Sequence, residues 1–127
     1  MRHSDTVRQL LKIFETFNVP EAMKLFADDA TYQFGNYPVA VGIEQITQAA
    51  ASSHMDFIKS ATFDVKNMIE PGGGVVVCEL DITYSTVAGQ TITLPCADLF
   101  RFNDHGRVKE MKIFMDATPL FAKAAAV

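Results

Sequence analysis

The sequence predicts an α+β domain in which N-terminal helices cover a curved antiparallel sheet and enclose an apolar pocket with a carboxylate inside it. Three observations carry this. Helical periodicity is confined to the first half of the chain. The second half is a run of long strand-like segments separated by short glycine-containing gaps. In one of those strands an aspartate, Asp98, alternates onto a face otherwise made of hydrophobes. At 127 residues, with 49% hydrophobic and 20% charged side chains, the chain fits one domain, residues 1–127, with a core of its own.

The first helix is read from Val7, Leu10, Leu11, Phe14 and Phe17, which share one helical face, with Thr6 and Gln9 placed as a capping box. Asn18, Val19 and Pro20 break it, and Pro20 suits the first turn of a second, short helix. In that helix Met23, Phe26 and Ala27 are expected to face inward, and Asp28-Asp29 to end it. Ala30–Phe34 reads as a short strand, and Gly35-Asn36-Tyr37-Pro38 as a turn. Gly42 precedes a third helix from Ile43 to about Ser53, with Ile43, Ile46, Ala49 and Ala50 on one side.

Four strands follow: Thr62–Ile69, Val75–Thr86, Gln90–Phe102 and Arg107–Met115. The gaps Pro71-Gly72-Gly73-Gly74, Ala88-Gly89 and Asn103-Asp104-His105-Gly106 are all short enough for antiparallel hairpins. In the second of these strands Cys78, Leu80, Ile82 and Tyr84 alternate with Glu79, Asp81, Thr83 and Ser85, the pattern of a half-buried strand. In the next, Leu94, Cys96, Asp98, Phe100 and Phe102 share a face. Its other face, with Pro95, Ala97 and Leu99, is also fairly apolar. A sheet apolar on both sides needs a second cover, so a homodimer through the convex sheet face is expected.

Charge and composition narrow the function. A net charge of -4 with no basic cluster argues against nucleic acid. No apolar stretch is long enough to span a bilayer, and the N-terminal Met1-Arg2-His3-Ser4-Asp5 lacks the apolar core of a secretion signal. A cytoplasmic protein with no membrane partner is the expectation. Cys78 and Cys96 are isolated, and His3, His54 and His105 are scattered without ligand spacing, so no metal and no cofactor are expected. Gly72-Gly73-Gly74 lies between two strands with no helix behind it, which makes it a turn rather than a phosphate cradle.

Asp98 is the most informative residue. A carboxylate buried without a partner is costly, so it becomes neutral or finds a donor. It either pairs with a nearby side chain or backbone group, or stands as a neutral acid able to donate to a carbonyl or enolate oxygen. Asp116, at the end of the last strand, is either a cap or turn carboxylate or a second pocket acid; strict alternation groups it with Lys112 and Phe114, away from the pocket. His54 sits at the end of the third helix, suited to the helix dipole or to the pocket mouth. Phe14, Tyr32, Phe34, Tyr84, Phe100 and Met111 are core residues that a cavity would turn into ligand contacts.

The segments Leu25–Thr31, Val41–Ile46, Asp98–Asn103 with Gly106-Arg107-Val108, and Phe114–Leu120 resemble, in order, the SnoaL-like and ketosteroid isomerase-like branch of the nuclear transport factor 2-like superfamily. That resemblance implies a cone-shaped (cystatin-like) fold, a curved antiparallel sheet on three N-terminal helices, with a pocket at the wide end. Asp98 matches the aspartate that, in the isomerases, stays protonated to donate to the oxyanion. Phe100 and Met111 match pocket positions, and Ala49–Ala51 stand where the isomerases carry bulky aromatics. The isomerase base belongs near Gln33 or Phe34 and the oxyanion-hole tyrosine near Ile13 or Phe14, and this chain has neither. Asp116 matches the acid/base of SnoaL-like cyclases.

The resulting expectation is a pocket for a hydrophobic, carbonyl-bearing small molecule, with proton-transfer chemistry of isomerase, cyclase or hydratase type. Asp98 would stabilise or protonate the oxygen, and Asp116 or His54 would move the proton. A non-catalytic hydrophobic-ligand-binding protein and a dimeric protein-interaction module are the alternatives.

Overall fold

Helix α1 (His3–Glu15) starts three residues before the expected cap, because acidic side chains satisfy its first amides. Asp5 Oδ2 accepts the Arg2 backbone N–H at 3.2 Å, and Glu70 Oε1, reaching across from the sheet, accepts that of Ser4 at 3.0 Å. Val7, Leu10, Leu11 and Phe14 are buried along its inner face, as their spacing requires. These details come from a computed structural model that describes residues 2–52 and 57–125.

Helix α2 (Val19–Met23) opens with Pro20 in its first turn and the Asn18 side chain accepting the Glu21 N–H at 3.2 Å. It is shorter than the sequence pattern suggested. Phe26 and Ala27 already belong to strand β1 (Phe26–Phe34). Asp28 and Asp29 are both exposed at a register shift in that strand instead of ending a helix. The spacing of Met23, Phe26, Ala27 and Ala30 satisfies a helical face, but a strand with one bulge buries the same residues. The two-residue strand β2 (Ala40–Val41) runs straight into α3 (Gly42–Ser52), where Gly42 takes a φ of +85°.

Four long strands complete the sheet: β3 (Ile58–Gly72), β4 (Val75–Thr86), β5 (Thr91–Phe102) and β6 (Val108–Phe114). The β3–β4 hairpin closes through Gly73 and Gly74, both at positive φ, as a tight primed turn demands. The sheet order is β2-β1-β6-β5-β4-β3. All pairings are antiparallel except β1 with β6, which run parallel and bring the first strand beside the last. Register shifts in β3 and between Arg101 and Phe102 in β5 bend the sheet around the helices.

Two hydrophobic clusters result. The larger joins α1, α2 and α3 to the concave face, through residues such as Leu10, Ile46, Val76, Leu80 and Phe100. The smaller gathers Ile58, Leu94 and Leu120, the last from a C-terminal helix α4 (Thr118–Ala125) that the sequence reading did not foresee. Phe17, Tyr84 and Met115 pack against both clusters and join them.

Candidate functional site

Strand alternation places the inner face of the site. Leu94, Cys96, Asp98, Phe100 and Phe102 of β5 all turn inward and are buried, beside Cys78, Leu80 and Ile82 of β4. Cys78 stands directly across from Asp98 in the β4–β5 ladder. Between this face and the helices lies a cavity of about 70 Å³, walled by Leu11 and Phe14 of α1, Tyr32 and Phe34 of β1, Tyr84 of β4 and Asp98 of β5, among others. Roughly 300–1,000 Å³ is usual for pockets that enclose drug-sized ligands, so this one encloses a single small group.

Asp98 is 3% exposed, and among the described residues no cation is a cause of its pKa shift. Its Oδ1 accepts a hydrogen bond from the Cys96 thiol at 3.3 Å. A thiol is a weak donor and cannot replace the hydration of a carboxylate. Burial therefore pushes the Asp98 carboxyl up to about 7, the Cys96 bond pulling the other way. Of the two readings drawn from the sequence, the acid has a partner, but one too weak to hold it ionised. Burial followed by the nearby Asp98 charge raises the Cys78 thiol to about 11, and the same causes raise Cys96. Neither cysteine is a nucleophile at neutral pH.

Tyr84 brings a phenol to the same wall. Its hydroxyl meets the Met115 sulfur at 3.9 Å, a weak acceptor, and burial raises its pKa. Phe17 reaches the cavity from the end of α1 with a φ of +60°, a left-handed conformation that usually calls for glycine after a helix. Its ring packs against both hydrophobic clusters, and that anchorage holds the backbone there.

The other expected residues divide. Phe14, Tyr32, Phe34, Tyr84 and Met111 line the cavity. Phe100 does not: it is fully buried in the core behind the wall. Asp116 is exposed and outside the cavity, its Oδ1 accepting the Thr118 backbone N–H at 2.9 Å. That bond holds its carboxyl below the usual range. Asp116 lies two residues past the end of β6, and its carboxylate binds the first residue of α4 instead of facing the cavity as the resemblance implied. His54 lies outside the described residues. Ala50 lines the cavity as the small-residue run suggested. Arg101 points outward and pairs with Glu110 at 2.8 Å. Among the described residues no three His, Cys, Asp or Glu side chains gather as metal ligands.

Sequence reasoning did not name Leu11, Phe17, Ala61, Phe63, Leu80, Ile82, Ile113 and Met115 as ligand contacts, though they line the wall. Ala61 lies one residue before the expected strand start, and Phe63, two residues on, shares its face of β3. Phe17 was visible only as the last apolar residue of α1, and nothing in the sequence marks its backbone conformation.

A family comparison settles the lineage, since the SnoaL-like domain matches residues 7–111. The chain belongs to the SnoaL-like domain family. Solved structures agree on the fold of this SnoaL-like domain. An NTF2-like protein of unknown function from Burkholderia pseudomallei superposes with a TM-score of 0.81 at 18% identity, over 96% of this chain and 97% of that one. A protein named as a SnoaL-like polyketide cyclase from Jannaschia sp. gives 0.74 at 22% identity, over 91% and 88%. A protein of ketosteroid isomerase-like fold from Catenulispora acidiphila, solved with trimethylamine, gives 0.74 at 19% identity, over 86% and 83%. No curated protein sequence matches the chain. Among the described residues, no helix of this SnoaL-like domain is long and apolar enough to cross a membrane.

Proposed function

We propose that this SnoaL-like domain takes the carbonyl end of an apolar small molecule into its cavity, where Asp98 in its acid form donates a hydrogen bond or proton to the carbonyl oxygen. The observation that carries this reading is a buried carboxyl in an apolar cavity wall with a pKa of about 7. An acid with a pKa near the working pH is present in both forms and transfers protons efficiently in either direction. Tyr84, whose hydroxyl meets the Met115 sulfur, a weak acceptor, is the second donor for the same oxygen. Polarisation of a carbonyl by these two groups suits isomerase, cyclase or hydratase chemistry in which the substrate supplies its own nucleophile or water does.

A second reading, non-catalytic binding of a hydrophobic metabolite, is favoured by the position of Asp116, which leaves Asp98 as the one carboxylate among the described wall residues. Proton exchange separates the two. With 2-octanone in deuterated buffer, an acid/base pocket accelerates deuterium uptake beside the carbonyl, followed by NMR, and Asp98→Asn abolishes it. A binding protein gains thermal stability from the ketone, less so in Asp98→Asn, without exchange. If the ketone changes neither stability nor exchange in the wild type, the reading is wrong.

We also propose that the convex face joins two copies. Ile69, Val77 and Leu99 stand side by side across β3, β4 and β5, next to the Ala97–Phe114 pair. Ile69 and Phe114 are 54% and 56% exposed.

A further inference from the structure

The cavity is too small to enclose more than the carbonyl end of a ligand, so the rest of the molecule needs a way out. The walls show where it lies. Leu11 and Phe63 line the cavity and also line a surface groove of about 290 Å³ between α1 and β3, whose other walls are Arg8, Lys12, Glu15 and Val65. Cavity and groove thus share two wall side chains.

The groove is framed by two clasps between helix and edge strand. Glu70 Oε1 accepts the Ser4 N–H at one end, and at the other Glu15 Oε2 accepts the Phe63 N–H at 2.8 Å. The Glu15 carboxylate is therefore engaged by the edge of the sheet. Arg8 and Lys12, one turn apart on α1, are exposed and, among the described residues, have no ion-pair partner. Arg8 is also close enough to the interior for its charge to lower the Cys78 thiol's pKa against the burial and Asp98 effects that raise it. Cys78 is the cross-strand neighbour of Asp98.

We infer that the α1–β3 seam is the portal of the cavity and that Arg8 and Lys12 receive the carboxylate of an apolar oxo acid whose carbonyl lies at Asp98. The inference rests on the proposed function and adds the substrate class: a molecule with a ketone at one end and an acidic group at the other. Leu11 and Phe63 form the gate, the aliphatic middle of the ligand lies between them, and the acid remains in the groove, where it stays hydrated. Paired exposed charges are worth modest affinity individually and are weakened by salt.

The test compares 7-oxooctanoate with 2-octanone, and 5-oxohexanoate with 2-hexanone; within each pair the acid's carboxylate is replaced by a methyl group. Affinities are measured by calorimetry or NMR titration on the whole chain, for the wild type and for Arg8→Gln/Lys12→Gln. Glutamine keeps the helix propensity of these exposed sites, so the variant folds. The wild type should bind at least one oxo acid about tenfold more tightly than its matched ketone. The double variant should bind acid and ketone alike, and added salt should weaken only the acid in the wild type. Equal binding of acid and ketone by the wild type, or an acid preference that survives in the double variant, overturns the inference. If the ketones bind and depend on Asp98 while the acids show no advantage, only the groove assignment fails. If no probe binds, the proposed function fails with it.

Discussion

Replacing Asp98 with asparagine should remove a pH dependence of stability that the wild type carries in a single side chain. The folded protein holds a proton on Asp98 up to about pH 7, whereas the unfolded chain releases it near 3.8. The folded state thus binds more protons between those values, so stability falls as pH rises through this window. The contribution is fully present below about pH 4 and fully lost above about pH 7. The gap between about 7 and 3.8, at about 1.4 kcal/mol per pH unit, amounts to about 4 kcal/mol. Asparagine has nearly the shape of the neutral acid, keeps an oxygen for the Cys96 thiol and never ionises.

The assay is urea unfolding of both proteins at half-unit steps from pH 4 to pH 8.5. Other titrating groups cancel in the difference between the two curves, and any fixed cost of the amide is the same at every pH. Relative to the wild type, Asp98→Asn should gain about 4 kcal/mol across the range, most of it between pH 5 and 7. Parallel curves would show that Asp98 titrates like an exposed carboxylate, and the argument from its burial would collapse.

Two further predictions follow from local geometry. At Gly74, with φ at +76°, an added Cβ would stand 3.0 Å from the Phe102 carbonyl oxygen, while Gly73, at +67°, has open space around it. Both alanine variants should lose about 1–2 kcal/mol for the left-handed backbone, and Gly74→Ala should lose more in thermal unfolding; equal losses would remove the contact from the account. On the convex face, Ile69→Asp with Phe114→Asp should convert a dimer to a monomer in sedimentation velocity without altering the circular dichroism. A wild type that sediments as a monomer at tens of micromolar would refute the interface.

Where the sequence was legible, one regularity was responsible. Alternation along Cys78–Tyr84 and Leu94–Phe102 has a period of two whatever the rest of the fold does, so it put Asp98 in the interior and Arg101 outside, as found. The misses occur where a pattern has two solutions. Met23, Phe26 and Ala27 fit a helical face or a bulged strand, and only the parallel pairing of β1 with β6, a contact between the two ends of the chain, selects the strand. Asp116 shows the same limit at the site itself. Resemblance and alternation pointed it in opposite directions, and the deciding factor was α4: Asp116 was open to a reading as a cap or turn carboxylate, but the helix signals behind it (Pro119 in the first turn, and the helix-forming Leu120, Ala122 and Lys123) were not joined to it.

The loss of Asp116 from the cavity also changes the chemistry argued for Asp98. With two wall acids, proton donation and abstraction would be shared; with one, the same carboxyl must perform both steps in turn or perform only the first. A pKa of about 7 permits the alternation, because neither form is rare at neutral pH. It also sets the pH profile: any catalysis that needs the acid form of Asp98 declines above about pH 7, whereas catalysis that needs its carboxylate rises through the same point. The direction of that limb in a plot of kcat/KM against pH therefore identifies which form begins the cycle, and a profile flat from pH 5 to 9 would exclude Asp98 from the chemistry altogether.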